Sequence, residues 1–229
     1  MLAGGGELGG ARVPLGVAGA LGLRHDARVS SSAARSVPPT RATYADLEAV
    51  PADKIAELIR GTLVVMPRPA ARHARASSAL TMEIGGPFDR GRGGPGGWVI
   101  LDEPELHFPD PTAPLDPDEF DALVPDLAGW RRERMPVIPD TAAFTLAPDW
   151  ICEVISKSTE EHDREVKMPI YAREGVRHAW LLDPVKRTLE VYARGESGSW
   201  GEAVFYRGVE VVRAVPFDAV ELGLASLWG

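Results

Sequence analysis

The feature that most constrains this sequence is a short apolar run with one carboxylate near its middle. The run covers residues 148–156, and Glu153 lies among its hydrophobic residues. Its length and its β-branched residues predict a buried strand. A carboxylate inside a buried strand is costly unless it is paired with a cation or coordinated to a metal ion. Glu153 therefore predicts a functional or structural partner close by.

The segment that follows offers such a partner. Asp163, Lys167 and Tyr171 recur at four-residue spacing within a predicted helix of residues 162–174, and this spacing places side chains on one face of a helix. Pro169 falls inside the segment, and an internal proline removes a backbone hydrogen bond. We therefore expect a kink or a break in this helix.

The remaining sequence predicts one folded domain behind an irregular N-terminal segment. Residues 1–40 are rich in Gly, Ala, Ser and Arg without periodicity, which is typical of a disordered tail or an over-extended start of the reading frame. Residues 41–229 predict a single domain, with strands in its centre and helices before and after them. This order favours an α/β or α+β fold around a mixed sheet.

Charge and cysteine content narrow the function classes. The net charge of −8 argues against a protein that simply coats nucleic acid, although an enzyme can still meet DNA through a local patch. The single cysteine, Cys152, cannot form an internal disulfide, and we interpret it as a buried hydrophobic residue in a cytoplasmic protein. No apolar stretch reaches the roughly 20 residues that a membrane span needs.

Three carboxylates, those of Glu57, Asp126 and Glu153, fall at predicted strand positions, with Asp126 in a strand of residues 123–130. Neighbouring strands lie about 4.8 Å apart, so Asp126 and Glu153 could share a cation. Oxygen ligands without His or Cys clusters favour Mg²⁺ or Mn²⁺ over Zn²⁺. Lys167 could then orient water or stabilise charge on a phosphate. The alternative is that these acids only pair with Lys167.

Several short motifs also follow one another in a recognisable order. They are Glu57 ahead of Arg60-Gly61-Thr62-Leu63, His73 at a helix start, Val124-Pro125-Asp126, the run from Glu153 to Thr159, the Asp163, Lys167 and Tyr171 spacing, Gly175-Val176, and the run from Ala179 to Pro184. Over about residues 43–193 this series resembles the Uma2 family of restriction-endonuclease-like proteins, in the PD-(D/E)xK nuclease superfamily. The resemblance implies an αβββαβ core with flanking helices and extra antiparallel strands. It also implies Mg²⁺-dependent hydrolysis of DNA phosphodiester bonds.

The resemblance assigns roles to individual residues. Asp126 matches the acid of the Pro-Asp motif, Glu153 the acid of the second motif, and Glu57 the acid associated with the first hairpin; all three are expected to bind the metal ion and act in catalysis. The lysine that usually follows the second acid by two positions is replaced by Ile155, and the family pattern moves it to Lys167. Because residues two apart on a strand share a face, Ile155 leaves room for Lys167.

Other residues receive secondary roles. His73 and Tyr171 are expected near the site, as phosphate contacts or neighbours of the ligands, and arginines are expected to contact phosphates. These arginines are Arg68, Arg72, Arg75 and those of residues 131–134. Trp98, Trp130 and Trp180 are interpreted as core residues.

Two features depart from the family pattern, and other expectations remain open. Lys157 stands where the family often has proline, and residues 102–126 form an acidic insert without Lys or Arg, most of whose acids we expect to be solvated. A homodimer would let two sites meet two DNA strands. The alternative to a nuclease is a catalytically silent nuclease-fold protein that binds nucleic acid or a protein partner.

Overall fold

The computed structural model describes residues 41–109 and 120–229. Residues 41–109 and 120–229 belong to one compact unit. The predicted tail, residues 1–40, lies outside the described residues, as does the part of the acidic insert at residues 110–119.

The first half of the described chain contains two helices and seven strands. They are α1 (Tyr44–Glu48), β1 (Lys54–Ile59), β2 (Thr62–Pro67), α2 (Ala71–Ile84), β3 (Trp98–Asp102), β4 (Glu105–Pro109), β5 (Phe120–Leu123), β6 (Leu127–Arg131) and β7 (Ala143–Phe144). A π-helical turn, Gly85–Asp89, continues α2.

The second half completes the sheets and supplies the helices behind the site. Its elements are β8 (Trp150–Val154), α3 (Glu160–His162), a π-helical turn (Asp163–Lys167), α4 (Met168–Arg173), β9 (His178–Asp183), β10 (Thr188–Ala193), β11 (Val204–Arg207), β12 (Val211–Val212), β13 (Leu222–Gly223) and α5 (Ala225–Trp228).

A six-stranded sheet with the order β11-β10-β9-β8-β6-β3 forms the centre of the fold. Strands β3, β6 and β8 pair antiparallel, whereas β8 and β9 are parallel. A parallel pair needs a crossover connection, which α3, the π-helical turn and α4 provide. The order α2, β3, β6, β8, helix, β9 is therefore the predicted αβββαβ core, within a mixed α/β fold, and β10 and β11 are added antiparallel strands.

A second, five-stranded sheet with the order β2-β1-β5-β4-β7 carries Glu57 on β1. The β1–β2 hairpin turns at Arg60 and Gly61, and both residues have positive φ angles. Strand β1 also pairs with β5. This sheet brings Glu57 to the residues that immediately precede β6.

The strand predicted over residues 123–130 is wrong in one respect. The chain forms two strands there, β5 in the five-stranded sheet and β6 in the six-stranded sheet. Pro125 has no backbone N–H to donate, which disfavours a continuous central strand. Asp126 therefore lies in the connection just ahead of β6 rather than inside a strand.

The helix around Pro169 is also different from the expectation. α3, the π-helical turn and α4 follow one another without a break, and Pro169 occupies the first turn of α4. A proline inside a continuous helical segment removes one backbone hydrogen bond of the preceding turn, and that preceding turn is the π-helical one. The local irregularity is instead the π-helical turn, which carries both Asp163 and Lys167.

Strand β8 divides the core between the two faces of the central sheet. Trp150, Cys152 and Val154 pack with α2 on one face, while Ile151 and Ile155 pack with α4 on the other. Alternation along a strand then puts Glu153 on the α4 side, as the sequence predicted. The three predicted core tryptophans, Trp98, Trp130 and Trp180, are each at most 1% exposed.

None of the helices in the described ranges is long and apolar enough to cross a membrane.

Gly129 gives a test of this packing. A Cβ at Gly129 would lie 3.2 Å from Trp150 Cε3 and 3.3 Å from Trp98 Cε3. Because overpacking a core typically costs about 1–3 kcal/mol, we expect Gly129→Ala to lower the free energy of unfolding by that amount in urea titrations. Gly86→Ala is the matched control, since its Cβ would meet nothing within 4 Å. Equal stabilities of the two variants would contradict the packing described here.

Candidate active site

Separate elements bring the predicted site residues to one place. Glu57 comes from β1, Asp126 from the connection before β6, and Glu153 from β8. Lys167 comes from the π-helical turn and Tyr171 from α4. The four-residue spacing predicted to align Lys167 and Tyr171 does so, and both contact Glu153.

Lys167 lies at the centre of the group, and its side chain is only 3% exposed. Its Nζ is 2.8 Å from Glu57 Oε1 and 2.9 Å from Glu153 Oε1. It also donates to the carbonyl oxygen of Val124 at 3.0 Å. Burial alone would lower the pKa of Lys167, but Glu153 and Glu57 outweigh it and raise that pKa well above its usual value.

Glu153 is held through one of its two oxygens. Tyr171 donates its hydroxyl hydrogen to Glu153 Oε1 at 2.6 Å, and Lys167 contacts the same oxygen. Burial raises the pKa of Glu153 well above its usual value; Lys167 opposes this rise, whereas Asp163 and Asp126 add to it. The contacts with Tyr171 and Lys167 are both made by Oε1.

Asp126 is fixed against the same strand. Its Oδ2 accepts a 2.7 Å hydrogen bond from the backbone N–H of Val154, and its Oδ1 is 3.3 Å from His73 Nε2. Burial would lower the pKa of His73, but its contact with Asp126 raises it. His73 thus lies beside Asp126, and its role as a phosphate contact stays a prediction.

Glu57 occupies a different position from the other acids. It is fully buried, and its Oε2 is 2.8 Å from His162 Nε2. Burial would raise the pKa of Glu57, yet Lys167 and His162 hold it below its usual value. The prediction that Glu57 binds a metal ion stays a prediction, and its position behind Lys167 does not favour it.

A cleft of about 210 Å³ opens beside this cluster. Asp126, Glu153, Asp163 and Lys167 contribute to its walls, whereas Glu57 does not. Burial raises the pKa of Asp163, and Lys167 opposes this rise. Asp126, Glu153 and Asp163 thus bring three carboxyl groups to the walls of the cleft, where an added cation could meet them.

The protein offers Mg²⁺ or Mn²⁺ two carboxylate ligands at the cleft, those of Asp126 and Glu153. No group of three or more His, Cys, Asp or Glu residues within residues 41–109 and 120–229 is arranged to hold a metal ion. Mg²⁺ commonly uses only one or two carboxylates and takes its other ligands from water and phosphate. Asp126 and Glu153 line the cleft and supply such a pair.

The structure brings only part of the predicted basic surface to the cleft. Arg68 lines it, and its side chain is about half exposed. Arg131 lies over the ring of Trp98, and Arg134 pairs with Asp149 at 2.9 Å. Because Arg131 ends the strand that begins next to Asp126, the 131–134 loop lies at the opposite end of β6.

The acidic insert is less solvated than expected where it is described. Asp121 is fully buried and pairs with Arg173 at 3.0 Å. Glu105 accepts a hydrogen bond from Tyr44 at 2.7 Å. Strand pairing through β4 and β5 explains these contacts, because it places acids of the insert inside the five-stranded sheet.

Sequence reasoning missed His162, the partner of Glu57. Nothing in the local pattern distinguishes it, since its partner lies 105 positions away. Asp163 was recognised only as a member of the helical face, although its spacing from Lys167 was a usable signal. Its Oδ1 lies 4.0 Å from Lys167 Nζ.

The αβββαβ topology of the central sheet is the one predicted for a restriction-endonuclease-like protein. A family model described as "Uma2: Putative restriction endonuclease" matches residues 41–225. The chain belongs to the Uma2 family. The resemblance seen in the sequence and the predicted fold class are thereby confirmed.

A solved structure supports the fold. A crystal structure described as "a putative nuclease belonging to DUF820 from Anabaena variabilis ATCC 29413" is similar to this chain, with a TM-score of 0.63 and 21% sequence identity. The similarity covers 81% of this chain and 97% of that chain. No curated protein matches the sequence. The family and the fold together support a nuclease.

Tyr171 provides a test of the buried cluster. Tyr171→Phe removes the 2.6 Å hydrogen bond to Glu153, and a hydrogen bond to a charged group contributes about 1.5–3 kcal/mol. We expect that loss in the free energy of unfolding, measured with urea in the presence of a chelator. Tyr192→Phe is the matched control, because Tyr192 donates to Glu190 at 2.7 Å in a partly exposed pair. An equal or smaller loss for Tyr171→Phe would show that the Glu153 contact is not specially stabilising.

Proposed function

We propose that this protein is a Mg²⁺-dependent endodeoxyribonuclease that hydrolyses DNA phosphodiester bonds. The observation that carries the proposal is the meeting of Asp126, Glu153 and Lys167 at one cleft. Family membership supports a nuclease, and the oxygen-only ligand pair supports Mg²⁺ with Mn²⁺ as a substitute.

Asp126 and Glu153 would hold the metal ion. When bound, such an ion lowers the pKa of a water molecule and offsets charge on phosphate oxygens. The protein's own part is to keep both carboxylates in place. The Val154 N–H fixes Asp126, while Tyr171 and Lys167 fix Glu153.

Lys167 would add positive charge beside the reacting phosphate. Its ammonium borders the cleft and is buried, so solvent screens it little. This charge would stabilise the negative charge that develops on the phosphate oxygens during hydrolysis. His73 and Arg68, which also line the cleft, are proposed contacts for the substrate phosphates.

Several finer expectations accompany this proposal. DNA is the proposed substrate, the cytoplasm the proposed location, and a homodimer the proposed assembly. The dimer proposal depends on analogy, because two symmetric sites could act on two strands. Size-exclusion chromatography with light scattering tests the assembly directly.

Plasmid cleavage tests the function. We expect the wild-type protein to convert supercoiled plasmid in Mg²⁺ or Mn²⁺ and to lose activity with a chelator. Asp126→Ala and Glu153→Ala should each slow cleavage by at least about 100-fold, the scale seen when a group that stabilises the transition state is removed. Glu161→Ala, an exposed acid on the neighbouring helix, should leave cleavage unchanged.

Two outcomes would contradict the proposal. Cleavage that survives both Asp126→Ala and Glu153→Ala would show that the site lies elsewhere. Absence of cleavage with either metal, together with no Mn²⁺ binding in calorimetry, would favour the alternative, a catalytically silent nuclease-fold protein that binds nucleic acid or a protein partner.

A further inference from the structure

Glu57 is the one predicted metal ligand that the structure separates from the cleft. It is fully buried, and the cleft is lined by Asp126 and Glu153 but not by Glu57. A cation in the cleft would therefore meet Glu153 and Asp126 without meeting Glu57. The contacts of this carboxylate indicate a different role.

Both oxygens of Glu57 already have protein donors. Oε1 accepts from Lys167 Nζ at 2.8 Å and from the backbone N–H of Val124 at 2.9 Å. Oε2 accepts from His162 Nε2 at 2.8 Å, so this ring nitrogen must carry the proton. Metal ligation by Glu57 would break at least one of these buried contacts.

The hydrogen bonds of Lys167 show how Glu57 can orient the ammonium group. An ammonium has three N–H donors and no acceptor. These donors are matched by Glu57 Oε1, Glu153 Oε1 and the carbonyl oxygen of Val124, at 2.8, 2.9 and 3.0 Å. Glu57 thus fixes one of three directions and is the nearest of the three acids, with Glu153 and Asp163, that lie within 4.0 Å of the ammonium. Without it, a long flexible side chain would have fewer constraints inside the cluster.

We propose that Glu57, itself oriented by His162, is a positioning residue that directs Lys167 at Glu153, and that it does not bind the metal ion. The proposal rests on the proposed function of the Asp126 and Glu153 cleft and refines it. The proposal divides the acids of the cluster into two groups. Asp126 and Glu153 line the cleft, whereas Glu57 contacts Lys167 and does not line the cleft.

Metal titration separates a positioning residue from a ligand. In calorimetry with Mn²⁺, Glu57→Gln should bind within about threefold of the wild-type affinity, whereas Asp126→Asn should lose at least about tenfold, the lower range for disturbing a metal site. A loss of Mn²⁺ affinity in Glu57→Gln as large as that in Asp126→Asn would overturn the proposal.

Single-turnover cleavage at saturating Mn²⁺ measures the effect on Lys167. Glu57→Gln should slow cleavage at least about tenfold with unchanged DNA affinity, because small misplacements of a catalytic group are costly. The matched control is Asp121→Asn, which also neutralises a fully buried carboxylate of the five-stranded sheet but one paired with Arg173. Equal rates for Glu57→Gln and Asp121→Asn would reduce Glu57 to a structural role.

The lysine itself can be observed without any activity. A ¹H–¹⁵N correlation spectrum of lysine ammonium groups should contain one slowly exchanging signal that Lys167→Met removes. The signal should persist in Asp121→Asn and broaden or vanish in Glu57→Gln. If it is unchanged in Glu57→Gln, Glu57 does not hold the ammonium and the proposal fails.

A second variant keeps the proposal testable if Glu57→Gln does not fold. Should Glu57→Gln not fold, His162→Phe removes the donor to Glu57 from a partly exposed position and is expected to keep Mn²⁺ affinity while slowing cleavage. Unchanged cleavage in His162→Phe would then count against the proposal. If the wild-type protein binds Mn²⁺ but cleaves no DNA, the proposed nuclease function fails, while Mn²⁺ affinity and the ammonium signal still decide the role of Glu57.

Discussion

The rest of the site depends on one buried ammonium group. Lys167 is 3% exposed and has carboxylates on two sides. A buried charge that loses a partner typically costs about 3–5 kcal/mol, so the surrounding elements must supply acceptors in fixed positions. β1 supplies Glu57, β8 supplies Glu153, and the chain ahead of β6 supplies the Val124 carbonyl. The same contacts that satisfy the lysine also orient the acid that faces the cleft.

This requirement explains why two sheets and an irregular helix meet here. The five-stranded sheet reaches the central sheet where Pro125 separates β5 from β6, and Asp126 lies at that junction. The helical segment widens into a π-helical turn at Asp163–Lys167, and such turns are frequent at functional sites. The result is a cluster of acids around Lys167 next to an accessible cleft. The two carboxylates of Asp126 and Glu153 that line this cleft are the physical basis for expecting a divalent cation.

The sequence predicted much of this arrangement where the signal was local. The β8 run and the helical face of Asp163, Lys167 and Tyr171 indicated Lys167 as a partner for Glu153. The family resemblance, with Ile155 at the usual lysine position, assigned Lys167 to the site. Long-range information was missing. The contact between His162 and Glu57 has no local pattern, and the pairing of Arg131 and Arg134 with core groups depends on tertiary packing. The split of residues 123–130 into two strands was indicated by Pro125 but required knowledge of the second sheet.

The most direct test of the central claim is the position of a bound metal ion relative to Lys167. Crystals grown with Mn²⁺ and measured at its absorption edge would locate the ion by anomalous scattering. We predict a peak in the cleft against Asp126 and Glu153, with Glu57 still paired to Lys167 and His162. A peak ligated by Glu57, or Lys167 displaced from Glu57, would contradict the account.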